Sequence, residues 1–214
     1  SVSVPGSKSI TNRALILAAR ANLQEDVVLT GALRSEDTEV MIDCLRKLGY
    51  TIEPRWDIAE PAVTFRYRKP TDSPIESADL SVGNSGTTIR FLISLLATRK
   101  GRYRLDGVAR MRERPVQDLL DAVNQISGVR AFSEGENGCP PVVIENSGNI
   151  AASAITVRGG VSSQFLSGLL MVAPNLATAD RWVDIRVDGP LVSEPYVEMT
   201  LAMLREWGQW FERP

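Results

Sequence analysis

The sequence predicts an α/β domain built from three βαβαββ repeats, with helices buried, sheets on the surface and the last repeat truncated. Three observations carry that expectation. The order of predicted elements restarts twice along the chain. The first helix of each unit is apolar nearly all round: residues 14–19, 91–96 and 165–172. A helix with no polar face has to be surrounded by protein. The strands instead alternate. Arg102, Arg104 and Asp106 share one face, and Asp184, Arg186 and Asp188 are out of step with Val183, Ile185 and Val187. Alternation leaves one sheet face wet, the reverse of a TIM barrel or Rossmann sheet with its apolar strands and amphipathic helices.

The elements follow in order. Residues 1–4 supply an opening strand, and the turn chemistry of Pro5 and Gly6 leads into a helix over 7–20. A strand at 27–31 precedes a helix over 35–48, whose stripe of Val40, Met41, Cys44, Leu45 and Leu48 opposes a charged face. Strands at 51–55 and 62–67 close the first unit, and the turn-rich run 69–74 links it to the next. The second unit reads strand 79–83, helix 85–98, strand 101–106, helix 115–127 and strands 129–134 and 141–145. Residues 135–141 and 145–149 read as linkers. The third reads strand 154–158, helix 162–173, strand 181–188, helix 194–207 and strand 209–213. The repeats thus span about 1–70, 75–147 and 150–214 of a single domain.

Composition narrows the function classes. With 214 residues, 43% hydrophobic and 23% charged, the chain reads as a soluble globular domain with a real core. A net charge of −2 gives no ground for a nucleic-acid or membrane partner. No apolar run approaches the length of a membrane span. Two cysteines make no disulfide framework: Cys44 reads as a core thiol, Cys139 sits in a loop, and a reducing cytoplasm suits both. There is no histidine, which removes Ser–His and Cys–His schemes and most zinc sites.

Aligned repeats put three helix starts in register: Gly6-Ser7-Lys8-Ser9, Asn84-Ser85-Gly86-Thr87-Thr88 and Val161-Ser162-Ser163-Gln164. Three parallel buried helices would aim three positive dipole ends at one mouth, where free backbone N–H groups favour an anion. Lys8, Arg13, Arg90, Arg110, Arg112 and Arg114 gather near those ends. An Arg fork suits carboxylate or phosphate, and Lys acts as a compact charge. Arg112 reads more readily as a solvated turn residue, and Ser7, Ser35 and Thr88 as helix caps. A P-loop is rejected, because Gly6-Ser7-Lys8-Ser9 lacks its spacing and its Gly-Lys pair.

Five motifs in series are then specific. Pro5-Gly6-Ser7-Lys8-Ser9 with Asn12-Arg13, Asn84-Ser85-Gly86-Thr87, Arg110 to Pro115, Ser162-Ser163-Gln164-Phe165 and Ser193-Glu194-Pro195-Tyr196 occur in that order. Over essentially its whole length the chain resembles the N-terminal half of the 5-enolpyruvylshikimate-3-phosphate (EPSP) synthases. Its wording is most similar to the version within the fungal pentafunctional arom polypeptide. The resemblance implies an inside-out α/β barrel fold, of which this is one domain. It implies transfer of the enolpyruvyl group of phosphoenolpyruvate (PEP) to the 5-hydroxyl of shikimate 3-phosphate, with no metal or organic cofactor.

By the same resemblance, Ser162, Ser163 and Ser193 would hold the phosphate of shikimate 3-phosphate, and Ser9, Arg13 and Tyr196 the rest of it. Asn84, Gly86 and Arg114 would face PEP, in the pocket that glyphosate takes in this family. Gln164 would sit between the substrates, Arg90 would act less directly, and Lys8 would touch both and stabilise developing charge. Phe91 stands where many members have Pro, and Glu194 where bacterial members often have Lys. The family's acid–base Asp and Glu lie in a second domain absent here, so the fragment alone is expected to be inactive. Asp37, Asp106 and Asp188 have no context that marks them as substitutes. The alternatives are a non-catalytic phosphoanion-binding module and a relative of UDP-N-acetylglucosamine enolpyruvyl transferase. The Ser162-Ser163-Gln164 and Ser193-Pro195-Tyr196 pairings argue against the latter.

Overall fold

A computed structural model describes residues 6–21, 24–66, 75–135, 137–160, 162–177 and 182–212. The expected opening strand and the linker at 69–74 lie outside these residues. The first unit contains α1 (Lys8–Arg20), β1 (Val27–Thr30), α2 (Glu36–Lys47), β2 (Ile52–Arg55) and β3 (Ala62–Phe65). The second contains β4 (Ser77–Ser81), α3 (Gly86–Leu96), β5 (Gly101–Asp106), a 3-10 turn at Ala109–Glu113, α4 (Gln117–Val123), β6 (Ser127–Ser133) and β7 (Val142–Ala151). The third contains β8 (Ala154–Arg158), α5 (Ser163–Val172), a 3-10 turn at Ala173–Asn175, β9 (Asp184–Asp188) and α6 (Glu194–Glu206).

Sheet topology repeats with the sequence. In the second unit the order is β4-β5-β7-β6, with β4 and β5 parallel and the other pairs antiparallel. The first unit shows the same arrangement from its second strand on, β1-β3-β2, and the third shows the same parallel opening, β8-β9. The sheets stay separate, so helices lie inside and sheets outside without a closed barrel among the described residues. The sheet of the second unit turns apolar side chains inward. Tyr103, Leu105, Val142 and Ile144 are fully buried, while Arg102 and Arg130 on the outer face both reach Glu145 at 3.3 Å.

Several expected boundaries move; the helix expected over 115–127 ends at Val123, Ser127 already lies in β6, and two further changes have a physical reason. Residues 145–149 are strand, not linker. Asn146 pairs with both Gly101 and Val129, and its side-chain N–H donates to the Ala97 carbonyl at 2.8 Å. The run Asn-Ser-Gly-Asn marks a bulge there: the register shifts between Ser127 and Val129, and Gly128 and Gly148 have φ of 82° and 87°. Residues 209–212 form no strand. Phe211 instead lies under the Arg205 guanidinium, 4.7 Å from its centre.

The first helices α1, α3 and α5 pack on one another at the centre. The second helices act as wedges: α2 meets β4 of the next unit, α4 meets β8, and α6 meets α5 and α1. The α3–α5 contact is close because Gly168 has no side chain; a Cβ there would lie 2.5 Å from Ser94 Oγ. Gly168→Leu is therefore expected to destabilise the protein by about 1–3 kcal/mol through overpacking. Urea unfolding of the two proteins measures the difference.

Candidate functional site

Hydroxyls cap all three central helices. Ser7, Ser85 and Ser162 accept from the backbone N–H groups of Ile10, Thr88 and Gln164 at 3.4, 3.2 and 3.2 Å. Ser35 caps α2 in a reciprocal capping box with Thr38, as expected. Thr88 is not a cap: it is the third residue of α3, and its hydroxyl donates to the Asp37 carbonyl at 3.3 Å.

The helix starts are tied together by side chains. Lys8 donates to Asp37 Oδ2 at 2.9 Å, and the Ser85 hydroxyl donates to Asp37 Oδ1, so the openings of α1 and α3 share one carboxylate. Burial pushes the Asp37 carboxyl up. The hydrogen bonds from Lys8 and Ser85 and the charges of Lys8 and Arg114 outweigh it and hold the carboxyl below its usual range. On the other side, Arg90 donates to Gln164 Oε1 at 2.6 Å, and Gln164 Nε2 donates to Thr87 at 3.1 Å. The openings of α3 and α5 are thereby joined.

Gly86 makes room for cations. A Cβ on it would stand 2.8 Å from Arg114 Nη1 and 3.3 Å from Arg90 Nη1. Arg114 also donates to the Asn84 carbonyl at 3.5 Å. Burial, and then the like charge of Arg114, lower the pKa of Arg90, whose guanidinium also stacks 5.4 Å over Phe165. An anion beside these groups would relieve their mutual repulsion.

Arg13 lies on a different side of α1. It is 1% exposed and donates to Thr200 at 2.7 Å, to the Ser9 carbonyl at 2.9 Å, to Ser167 at 3.1 Å and to the Tyr196 carbonyl at 3.2 Å. Burial pulls its pKa down to about 10 despite the opposing influence of Tyr196. It fastens α1 to α5 and α6. Tyr196 is half exposed, with its ring 6.0 Å from that guanidinium. Ser163 is buried beside Gln164, and Ser193 is exposed in the left-handed region with φ of 55°.

The structure thus joins Lys8, Asn84, Gly86, Arg114 and Gln164 through a continuous set of contacts, and links Ser9, Arg13 and Tyr196 on the α6 side. Arg112 belongs elsewhere: it grips Asp106 through two bonds of 2.9 and 2.7 Å. Sequence reasoning missed Asp37 as the partner of Lys8, and Ser167 and Thr200 as supports of Arg13. The last two had a signal, being lone hydroxyls in apolar stretches of α5 and α6. No group of acidic or sulfur side chains suited to a metal occurs among the described residues. Cys44 is a core thiol, its pKa pushed up to about 12 chiefly by burial. Among the described residues no helix is long and apolar enough to cross a membrane.

Fold and site together define a βαβαββ-repeat protein with a cation-lined end built on three helix starts. The chain belongs to the EPSP synthase family: the family model for EPSP synthase (3-phosphoshikimate 1-carboxyvinyltransferase) matches residues 1–212. It is 45% identical over 213 residues to the 3-phosphoshikimate 1-carboxyvinyltransferase of Janthinobacterium sp. (strain Marseille), covering 99% of this chain and 46% of that one. It is 44% identical to that of Ralstonia pickettii (strain 12J), covering 97% and 46%. The structure of EPSP synthase from Acinetobacter baumannii superposes with a TM-score of 0.76 at 25% identity, over 100% of this chain and 44% of that one. The chain thus spans about half the length of the curated relatives it matches.

The Asp37 carboxylate gives a pH test with a definite sign. Its folded pKa is depressed, so its stabilisation is present above the unfolded value, about 4, and is lost as the pH falls through the folded value. Asp37→Asn is expected to be less stable than the native chain at pH about 7, with the gap narrowing below pH about 4. Urea midpoints at the two pH values decide it.

Proposed function

We propose that this chain is the shikimate-3-phosphate-binding domain of an enzyme that transfers the enolpyruvyl group of PEP to the 5-hydroxyl of shikimate 3-phosphate. The 5-hydroxyl oxygen adds to C2 of PEP as it gives up its proton and C3 gains one, forming a tetrahedral intermediate with a methyl group; the C2–O bond to phosphate then breaks as C3 releases a proton, giving EPSP and phosphate. The observation that carries this reading is the set of contacts joining Lys8, Gly86, Arg90, Arg114 and Gln164 at converging helix starts, in a chain of this family. Two polyanions repel each other, and fixed cations with helix ends offset that repulsion while holding the reactants in place.

Lys8 bridges both substrates and stabilises charge in the intermediate, after exchanging Asp37 for an incoming anion. Arg114, Asn84 and the bare backbone of Gly86 face PEP, with Gln164 between the two ligands. Ser162, Ser163 and Ser193 take the shikimate phosphate, and Ser9 and Tyr196 its ring. Arg13 contributes from beneath, holding Ser9 and Tyr196 by their carbonyls. No organic cofactor or metal enters this scheme.

The acid–base groups come from a second domain, and the fragment alone turns over nothing. Asp106 is committed to Arg112, and Asp37 keeps the hydrogen bond from Ser85 when Lys8 turns to the ligand. The cytoplasm is the proposed compartment. The affinity to the arom polypeptide rests on motif wording alone, since the relatives named above are bacterial. Those relatives are curated as 3-phosphoshikimate 1-carboxyvinyltransferases, which favours this reading over the UDP-N-acetylglucosamine transferase one.

The deciding experiment is a steady-state assay of this chain with and without a separately produced C-terminal portion of the Janthinobacterium relative, beside calorimetry of shikimate 3-phosphate on the chain alone. Binding without turnover, and turnover on complementation, are expected; full turnover by the chain alone would refute the division of labour. In the complemented enzyme Lys8→Met should cut turnover about a hundredfold or more. Its stability should change by about 1 kcal/mol or less, because the lost ion pair is half exposed. Gly86→Ala forces the Arg114 guanidinium aside, and is expected to raise KM for PEP about tenfold or more with little effect on shikimate 3-phosphate. Initial rates at varied concentrations of each substrate test both.

A further inference from the structure

The two halves of the Asp37–Lys8 pair are held with unequal firmness. Asp37 is the second residue of α2, where the free N–H groups of the first turn favour a negative charge. Its place is fixed by its surroundings. The Thr88 hydroxyl donates to its carbonyl at 3.3 Å, and buried Ser85 donates to its Oδ1. The capping box of Ser35 and Thr38 closes the turn around it, and the Leu33 amide ahead of that turn donates to Thr11 of α1 at 3.0 Å. Lys8 is the loose half. Its side chain is 48% exposed, on a flexible stem, and its ammonium is tied to Asp37 Oδ2 at 2.9 Å. When the pair parts, the lysine moves and the carboxylate stays.

That carboxylate engages the groups an anionic ligand would need. Lys8 and Ser85 donate to it, and the charge of Arg114 acts on it. The other acidic side chains of the same turn do not compete for this place. Glu39 pairs with Arg34 at 2.9 Å, and Glu36 is exposed.

We propose that Asp37 is an internal competitor for the anion that Lys8 receives: it holds the ammonium in the empty site and recaptures it as inorganic phosphate departs. The proposal rests on the reading that Lys8 meets ligand phosphate, and not on the transfer step. Anion binding then runs against the ion pair, and the fraction of molecules with Lys8 free sets the apparent affinity. The exchange makes and breaks hydrogen bonds alone. Asp37 keeps Ser85 and the start of α2 throughout, so the lysine stem is the part that rearranges. The contact that weakens binding also favours release. Loss of the carboxylate therefore moves stability and anion affinity in opposite directions, whereas loss of a residue that merely shapes the site would lower both.

Calorimetry of inorganic phosphate on the chain at neutral pH tests this. Asp37→Asn keeps an oxygen for Ser85, and should bind phosphate about fivefold or more tighter than the native chain. Glu36→Gln removes a charge from the same turn and should change affinity by about twofold or less. On a Lys8→Met background the gain from Asp37→Asn should shrink to about twofold or less, because the contest for the ammonium is gone. In the complemented enzyme, Asp37→Asn should be inhibited by phosphate at about one fifth of the native concentration. Unchanged or weaker phosphate binding by Asp37→Asn, or an equal gain from Glu36→Gln or on the Lys8→Met background, would overturn the proposal. One readout needs no variant: saturating phosphate should shift the carboxyl carbon resonance of Asp37 in the native chain. A resonance that stays put while phosphate binds would sink the idea, as would absence of phosphate binding by native chain and Asp37→Asn alike. Turnover on complementation without these changes would leave the assigned reaction and remove this inference; the changes without turnover would do the reverse.

Discussion

Helices α1, α3 and α5 are buried along most of their length, each covered by the other two, by the wedge helices and by the sheets. That burial sets the inside-out layering and brings the helices side by side, at Gly168 close enough that a methyl group would collide with Ser94. It also forces their ends into company. Backbone N–H groups at the start of a helix lack intrahelical partners, and three such starts are stitched into one locality by Asp37, Arg90 and Gln164. The cationic end follows from how the core is packed.

A chain of net charge −2 has no long-range field with which to gather polyanions. Its outer sheet surfaces are instead crossed by paired charges such as Arg104 with Glu134 and Arg66 with Asp26 and Glu53. Those pairs are solvated and nearly neutral in sum. Cations at the helix starts are different: Arg90 and Arg114 stand together, and Arg90 is partly desolvated with its Nε lacking a protein partner. Asp37 balances part of this charge until a ligand takes over.

The repeat, the buried helices and the alternating strands were legible because each rests on a periodicity of residues near in sequence. What was not legible rests on contacts between distant residues. Asn-Ser-Gly-Asn reads as a turn, yet pairing of Asn146 on both sides makes it a bulged strand. Trp210 and Phe211 resemble strand residues, but among the described residues no strand pairs with them. Thr88 looked like a cap because hydroxyls cluster at that helix start; Ser85, three residues earlier, takes the role. Lys8 and Asp37 are 29 residues apart, and only the docking of α2 onto α1 makes them partners. The candidate site was readable as residue types at aligned starts, and not as a wiring diagram.

The Gln125 side chain couples two units mechanically. It leaves the end of α4 in one unit and mimics a neighbouring strand for Thr156 in the next, donating to its carbonyl and accepting from its amide. Together with the packing of α2 on β4 and of α6 on α1, it makes every module share a wall with another. Solenoids built from similar modules can melt from one end, bead by bead. Here the chain folds back on itself, so losing one module unroofs its neighbours, and the whole assembly loosens as a single cooperative block.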